Sequence, residues 1–309
     1  MWPFTLVHDT LGRDGVGVES HQAKYAGIAL VVCSALNLLA CLVTRFHGER
    51  SNVAGKLFET FAGLTVATTC LLTLLIRGTY FPRQVLSTAL MCAWGVRLSV
   101  HLHRRDVVHG RPPDLGARVL WAVLISLPCV LCNTRQEDVF RNTVTEVVGL
   151  VLAVASFLGE AQADCEKQAW FRQHKAGRPG RSSMQPPVAA TGWWHLSRNP
   201  NLFFELTFHW GIYLIVRPVV SSVVVVCPVF NTLTLAVLPG GMWTRETERN
   251  QRFELYPAYL SYRNSTSPCL PMPQWAFRGL RSLGVPDPYH PDWYGPDVTA
   301  ALSRADALA

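Results

Sequence analysis

Long apolar stretches with almost no charged residues constrain this chain more than any other feature. Residues 25–44 contain no charged side chain and lie between Lys24 and Arg45. A helix of this length rises about 30 Å, which is the thickness of the hydrocarbon core of a bilayer. Because backbone polar groups in lipid must be satisfied inside the segment, such a stretch predicts a transmembrane helix. Later stretches of the same character cover residues 57–76, 84–102, 119–132, 143–159, 202–216 and 219–239.

The composition supports the same interpretation. Hydrophobic residues make up 49% of the chain and charged residues 16%, whereas a soluble domain carries about 25% charged residues. The sequence therefore predicts an all-α, multi-pass transmembrane helical bundle of about seven spans. It contains neither G-x-G-x-x-G after a predicted strand nor G-x-x-x-x-G-K-[ST], so we expect no Rossmann fold and no P-loop.

The basic residues give the chain a net charge of +7. They lie in short clusters between the apolar stretches, which is typical of cytosolic loops beside a membrane. We therefore expect an integral membrane protein with no nucleic-acid partner. In the seven-span arrangement, the loops on one side hold more Lys and Arg than those on the other, and this excess predicts a cytosolic C-terminal segment.

The chain divides into four predicted regions. Residues 1–24 form a polar N-terminal segment, and residues 25–132 contain the N-terminal transmembrane helices. Residues 133–273 hold the polar motifs that could carry chemistry. Residues 274–309, which are rich in Pro and Asp after Gly284, predict an extended C-terminal tail.

The sequence predicts no metal site. Most of the nine cysteines lie in or near apolar stretches, where a cysteine behaves as a small hydrophobic residue. The one C-x-x-C pair, Cys129 and Cys132, has no second pair nearby to complete a zinc site. His101 and His103 are two residues apart, so they do not share a helix face.

A first polar motif follows the apolar stretch 143–159. Glu160 and Asp164 are four residues apart, which puts both carboxylates on one helix face, and Arg172 follows two turns later. The motif is also compatible with a helix end whose charged side chains extend toward the membrane surface.

A second polar motif covers residues 192–205. Trp193 and Trp194 are typical of an interfacial aromatic belt, and Ser-Arg-Asn-Pro-Asn at 197–201 is a helix-start signal. Glu205 lies inside the following apolar stretch. A carboxylate at such a position is costly and is a functional candidate, although a structural pair with Arg217 or with another helix is an alternative.

Together these motifs resemble the signature of the steroid 5-alpha-reductase C-terminal superfamily. Relatives usually read Ser-Arg-His-Pro-Asn-Tyr-Phe-Gly-Glu where this chain has residues 197–205, and a Glu...Ala-Asp-x-Gln-Lys...Phe element resembles residues 160–171. The resemblance extends upstream to Trp94-Gly95-Val96-Arg97-Leu98 and downstream to Glu246, Tyr256, Tyr259, Tyr262 and Pro271. On this basis residues 133–273 resemble the catalytic region of these membrane reductases.

The resemblance implies a helical bundle that binds NADPH from the cytosolic side and reduces a carbon–carbon double bond conjugated to a carbonyl. The substrate would be a lipid-soluble molecule such as a steroid or sterol that enters from the bilayer. For a eukaryotic chain, the resemblance implies the membrane of the endoplasmic reticulum.

The resemblance also implies roles for particular residues. Asp164 and Asn201 would contact the dinucleotide, and Glu160 would lie beside them in the cofactor-binding element. Glu205 would donate a hydrogen bond to the substrate carbonyl, because a carboxylic acid in apolar surroundings can remain protonated. Two further roles complete the implied site: phosphate binding by Arg172 and Arg198, and assistance to Glu205 by an earlier tyrosine, for which Tyr80 is the candidate.

The chain departs from the family pattern at three positions. Asn199 replaces the usual His, Leu202 replaces an aromatic residue, and Phe204 replaces the Gly before Glu205. Two alternatives therefore remain open beside the reductase. One is an S-adenosylmethionine-dependent lipid or isoprenylcysteine-type methyltransferase, and the other is a non-catalytic membrane protein that keeps the fold.

Overall fold

The computed structural model describes most of the helical part of the chain. The described residues are 27, 31–39, 42, 52–104, 115–136, 144–174, 177, 179–180, 183–236, 241–285 and 287. Within these ranges the protein is helical and forms no strand, and one isolated bridge pairs Ser197 with Ser267. The prediction of an all-α helical bundle is confirmed.

Four long helices come first, and shorter helices follow them. The long helices are α1 (Asn52–Arg77), α2 (Pro82–Arg104), α3 (Leu115–Asn133) and α4 (Val144–Gln173). The shorter ones are α5 (Trp193–Leu196), α6 (Pro200–Val216), a 3-10 turn (Ser222–Val225), α7 (Val226–Ala236), α8 (Met242–Phe253), α9 (Pro257–Ser265) and α10 (Gln274–Ser282).

The four long helices are long and apolar enough to cross a membrane. The predicted span at 25–44 lies largely outside the described residues. The predicted spans at 202–216 and 219–239 correspond to α6, which has 17 residues, and to the apolar but shorter segment Ser222–Ala236. The described part of the chain therefore supplies four full-length candidate spans of the seven predicted.

By contacts, the chain forms two compact units that alternate along the sequence. The first unit contains residues 1–154 and 209–231, and the second contains residues 155–208 and 232–309. The sequence instead suggested consecutive regions. The alternation arises because α4, α6 and α7 each supply one end to each unit.

Small residues allow the helices of the first unit to approach closely. A Cβ atom on Gly63 of α1 would lie 2.1 Å from the carbonyl oxygen of Gly95 on α2, and one on Gly149 of α4 would lie 2.8 Å from that of Gly211 on α6. Small residues at such crossings are typical of helices that pack in lipid, where close backbone approach replaces hydrophobic burial as the driving force.

Buried polar side chains also connect these helices. The Asn133 amide at the end of α3 donates to the carbonyl oxygen of Cys70 at 3.1 Å and to the hydroxyls of Thr73 at 3.2 Å and Thr88 at 3.0 Å. In the same unit, Arg83 and Glu146 form a buried ion pair between the first turns of α2 and α4. Each of these side chains finds at least one polar partner inside the protein, which offsets part of the cost of burial in an apolar medium.

The C-terminal segment differs from the predicted extended tail. Residues 274–282 form α10, and the side chain of Phe277 is buried, so the prediction is wrong for this part of the segment. Asp287 is also buried, at 2% exposure, and forms an ion pair with Arg198. The remainder of the segment lies outside the described residues.

Candidate functional site

The second unit brings the two polar motifs together at a crossing of α4 and α6. Ser156 and Thr207 share a hydrogen bond of 2.7 Å between their hydroxyl oxygens. Further along, the Nδ2 atom of Asn201 lies 3.5 Å from Oδ1 of Asp164, at the long limit of a hydrogen bond. Since residue numbers rise on α4 as they fall on α6, the two helix segments run antiparallel.

This register aligns the four predicted site residues in pairs. Asp164 lies opposite Asn201, and the same antiparallel spacing puts Glu205 level with Glu160. Glu160 is 3% exposed and Asp164 is 5% exposed, whereas Glu205 is partly buried. The predicted cofactor residues and the predicted catalytic carboxylate thus share one helix crossing.

Asn201 has an unused hydrogen-bonding atom. Its Nδ2 atom is directed at Asp164, while its Oδ1 atom is buried and has no hydrogen-bond partner among the described residues. A buried acceptor without a donor costs free energy, about 1–3 kcal/mol. The position is therefore suited to a ligand that brings a donor.

Arg198 lies in a buried charge cluster rather than at an exposed surface. Its guanidinium is 1% exposed, and Nη2 donates to Oδ2 of Asp287 at 2.7 Å. Its Nε atom lies 3.3 Å from Oε2 of Glu246, and Nη1 donates to the carbonyl oxygen of Arg263 at 3.2 Å. Arg249 forms a further ion pair with Glu246. The charge of Arg198 is thus balanced inside the protein.

The pKa values in this cluster follow from burial and from the neighbouring charges. Burial alone would lower the pKa of Arg198, but Glu246 and Asp287 outweigh it, so the pKa is raised and the guanidinium stays charged. Burial, followed by the negative charge of Glu246, raises the pKa of Tyr259 to about 12. Its hydroxyl donates to Oδ1 of Asn250 at 2.8 Å.

Asn199 occupies the position of the family's His and is fully used inside the cluster. Its amide donates to Oε1 of Glu246 at 2.7 Å and to the carbonyl oxygen of Pro268 at 2.9 Å. Its Oδ1 atom accepts from Arg249. An amide can donate and accept at the same time, so this departure from the family pattern is accommodated by the local network.

The two tryptophans before the Ser-Arg-Asn-Pro-Asn turn lie in the protein rather than in an interfacial belt. Trp194 is 3% exposed, and its Nε1 atom donates to the carbonyl oxygen of Ala163 at 2.8 Å. Trp193 is partly buried, and its backbone N–H donates to Oε2 of Glu166 at 2.8 Å. Gly192 has a φ of +60°, and a Cβ atom there would lie 2.4 Å from the Glu166 carboxyl group, so only glycine fits.

Phe204, the third departure from the family pattern, packs its ring against Gly159 of α4. A Cβ atom on Gly159 would lie 2.6 Å from atoms of the Phe204 ring, and the ring meets the Trp193 ring edge-on at a centroid distance of 4.9 Å. Leu202 is also accommodated, at 1% exposure. The bulk that replaces the family's Gly before Glu205 is therefore matched by the absence of a side chain on α4.

The remaining predicted site residues lie elsewhere. Arg172 is exposed near the end of α4 in the second unit. Tyr80 belongs to the first unit and lies in the loop between α1 and α2 rather than on a helix, with a φ of +59° and 55% exposure. Its hydroxyl donates to the carbonyl oxygen of Leu75 at 3.5 Å.

Sequence reasoning missed two members of the charge cluster. Asp287 lies 89 residues from its partner Arg198, and no local pattern links the two. Arg249 follows Glu246 by three residues, so helix spacing could have suggested that pair. Within the described residues, no group of three His, Cys, Asp or Glu side chains could hold a metal ion.

A family model described as "Protein of unknown function (DUF1295)" matches residues 49–115 and 115–266. This match covers most of the chain and includes both polar motifs. Comparison with curated proteins and with solved structures gives no significant match. The helical architecture and the α4–α6 crossing described above therefore belong to a member of the DUF1295 family.

Proposed function

We propose that this protein is a membrane-embedded, NADPH-dependent reductase of a carbon–carbon double bond conjugated to a carbonyl in a lipid. The observation that carries the proposal is the α4–α6 crossing, where Asp164 lies 3.5 Å from Asn201 and Glu205 lies level with Glu160. The DUF1295 family is in the steroid 5-alpha-reductase-like group, which supports the same class of reaction.

Two residues at the crossing, with Arg172 further along α4, fit a dinucleotide. The Oδ1 atom of Asn201 is a buried acceptor without a partner among the described residues, so it can accept from an amide or a ribose hydroxyl. Asp164 offers a carboxylate beside it, and Arg172 provides an exposed guanidinium suited to a phosphate. These three residues would hold the cofactor.

Glu205 has the catalytic role in this proposal. NADPH, when bound, supplies the hydride that adds to the β-carbon of the conjugated system. Glu205 donates a hydrogen bond to the carbonyl oxygen, on which negative charge develops during this addition. Such a donor is worth more in a site that excludes water, because low polarity strengthens the hydrogen bond to the developing charge.

Arg198 is a positioning residue in this proposal rather than a phosphate ligand. Its ion pairs with Glu246 and Asp287 balance its charge inside the second unit. Its backbone N–H also donates to the carbonyl oxygen of Ser267 at 2.8 Å, which fixes the turn that leads into α6. Arg198 therefore acts on the site by holding Asn201 and Glu205 at the start of that helix.

The first test is nucleotide binding by the full chain purified in detergent. We expect saturable binding of NADPH in preference to NADH, and a loss of affinity of at least about tenfold in Asp164→Ala and Asn201→Ala, because each removes a direct contact. Glu254→Gln, at an exposed position on the same unit, is the matched control and should bind normally. Binding of S-adenosylmethionine in place of NADPH would instead establish the methyltransferase alternative.

The catalytic role is tested separately with Glu205→Gln. This variant keeps the size of the side chain and a donor group, but loses the acidic proton. We expect NADPH affinity to remain within about twofold of wild type and turnover of a lipid enone to fall by about 10²-fold or more. Unchanged turnover would show that the reaction does not need an acidic proton at position 205 and would overturn the role proposed for Glu205. A folded protein that binds no nucleotide would favour the non-catalytic alternative.

A further inference from the structure

The two adjacent tryptophans of α5 differ in how their indole nitrogens are used. Trp194 Nε1 donates to the carbonyl oxygen of Ala163 at 2.8 Å. Trp193 Nε1 is buried and has no hydrogen-bond partner among the residues that the structure describes. Buried tryptophans usually satisfy this N–H, because an unpaired donor loses its hydrogen bond to water without replacement. Trp193 therefore carries a donor that the protein itself does not use.

The Phe204 ring connects the unused donor of Trp193 to the helix that carries Asn201. The Trp193 ring meets the Phe204 ring at a centroid distance of 4.9 Å. Phe204 follows Asn201 by three residues on α6, so both side chains project from the same helix face. The Phe204 ring thus contacts the Trp193 ring and lies on the same helix face as Asn201, and the indole N–H and the Asn201 Oδ1 atom are both buried without partners among the described residues.

The backbone around Trp193 holds its ring in place. Gly192 adopts a φ of +60°, which turns the chain into α5, and Glu166 accepts the Trp193 backbone N–H at 2.8 Å. The same carboxylate accepts from Nε2 of Gln162 at 3.1 Å. The backbone that carries the indole is therefore held before any ligand binds, and the ring contact with Phe204 restricts the indole further, which reduces the entropy lost on binding.

One chemical group satisfies both atoms at once. A primary carboxamide has a carbonyl oxygen that accepts from an indole N–H and an NH₂ group that donates to an amide oxygen. We propose that Trp193 and Asn201 bind the carboxamide of the nicotinamide ring, with Phe204 as the apolar surface between them. This inference rests on the proposed function, since it assigns the ring end of the NADPH that the α4–α6 crossing would hold.

A stability measurement tests the difference between the two tryptophans without any ligand. Trp194→Phe should lower the melting temperature by about 2 °C or more, because it removes a buried hydrogen bond to the Ala163 carbonyl. Trp193→Phe should leave the melting temperature unchanged or raise it, since it removes an unpaired buried donor. An equal decrease in both variants would show that the Trp193 N–H has a structural partner and would overturn the proposal.

A binding measurement tests the ligand. The probes are NADPH and its reduced 3-acetylpyridine analogue, in which a methyl group replaces the NH₂ of the carboxamide. We expect Trp193→Phe to weaken both dinucleotides by about three- to tenfold, because both keep the carbonyl oxygen. Asn201→Ala should abolish the preference of the wild type for NADPH over the analogue, because only NADPH has the NH₂ donor.

The outcomes separate this inference from the proposed function. If wild type and Trp193→Phe bind NADPH equally well, Trp193 is not a ligand-binding residue, while the reductase proposal stands. If the wild type binds NADPH and the analogue equally well, the carboxamide is not recognised and the inference is wrong. If the wild type binds neither dinucleotide, the proposed function fails and this inference fails with it.

Discussion

At the scale of single residues, Arg198 depends on carboxylates from two distant parts of the chain. Glu246 and Asp287 lie 3.3 Å and 2.7 Å from its nitrogen atoms, and all three side chains are nearly fully buried. Removal of one partner from a buried ion pair leaves a charge uncompensated in surroundings that cannot solvate it. The cluster therefore stabilises the turn before α6 only while it is complete.

The first prediction concerns Asp287. Asp287→Ala should lower the free energy of unfolding by about 3 kcal/mol, since breaking a buried pair typically costs about 3–5 kcal/mol and Glu246 still compensates part of the charge. Denaturant or thermal unfolding of the purified full chain measures this loss. Glu254→Gln, which removes an exposed carboxylate, is the control and should change stability by less than about 0.5 kcal/mol. Equal stabilities would mean that Asp287 does not pair with Arg198 in solution.

The second prediction concerns Tyr259 and alkaline pH. Burial and Glu246 raise its pKa from 10.0 to about 12, so the folded state favours the neutral phenol. The resulting stability is fully present below pH 10 and is lost as the pH rises toward 12, at about 1.4 kcal/mol per unit of pKa shift. As the pH rises from about 9 to about 12, the melting temperature of Tyr259→Phe should fall less steeply than that of the wild type.

The control for this prediction is Tyr80→Phe, because Tyr80 is 55% exposed. Its substitution should leave the pH dependence of the wild type unchanged. A Tyr259→Phe variant as sensitive to alkali as the wild type would show that another group causes the loss of stability.

At the scale of elements, the crossing of α4 and α6 depends on a matched pair of side chains. Gly159 leaves room for the Phe204 ring, and a Cβ atom on Gly159 would come within 2.6 Å of it. The ring in turn packs against Trp193. The Phe204 ring thus fills the space between the two helices, and Gly159 adds no side chain to it.

The third prediction is a double-mutant cycle at this crossing. Gly159→Ala should destabilise the protein by about 1–3 kcal/mol through overpacking. In the Phe204→Leu background the same substitution should cost at least about 1 kcal/mol less, because the smaller side chain leaves room for the methyl group. Gly279→Ala on α10 is the control, since a Cβ atom there meets nothing within 4 Å. Additive effects of the two substitutions would contradict the packing described here.

The helices themselves were largely predictable from the sequence, because length and apolar composition determine them in a membrane protein. The resemblance of two motifs assigned Asp164 and Asn201 to the same cofactor, so their proximity was also expected, although a contact between them was not. The charge cluster was not predictable, because Asp287 interacts with Arg198 across 89 residues and lies in a segment whose composition suggested an extended tail. Trp193 and Trp194 were interpreted as belt residues because a sequence does not distinguish a membrane interface from a buried contact.

At the scale of the whole molecule, four helices of the described chain are long and apolar enough to span a bilayer. The number of further spans decides on which side each terminus lies. If the chain has seven spans, the excess of Lys and Arg in alternate loops predicts that the C-terminal segment lies in the cytosol and the N-terminal segment on the opposite side.

The fourth prediction concerns this orientation. In sealed vesicles with the cytosolic face outward, protease should remove an epitope tag from the C-terminus and leave an N-terminal tag intact. After the membrane is permeabilised with detergent, both tags should be digested, which shows that the protected tag is accessible in principle. Protection of the C-terminal tag before detergent would contradict the orientation and would argue against the proposed binding of NADPH from the cytosol.

The ion pair between Arg198 and Asp287 also sets an order of events during biosynthesis. The two residues are 89 positions apart, so the ribosome adds Asp287 about 4–18 s after Arg198 at ~5–20 residues per second. Throughout this interval the nascent chain holds a guanidinium without its second carboxylate. The second unit therefore reaches its final charge balance only after position 287 has been translated, and a premature stop codon before that position would release a chain that cannot complete it.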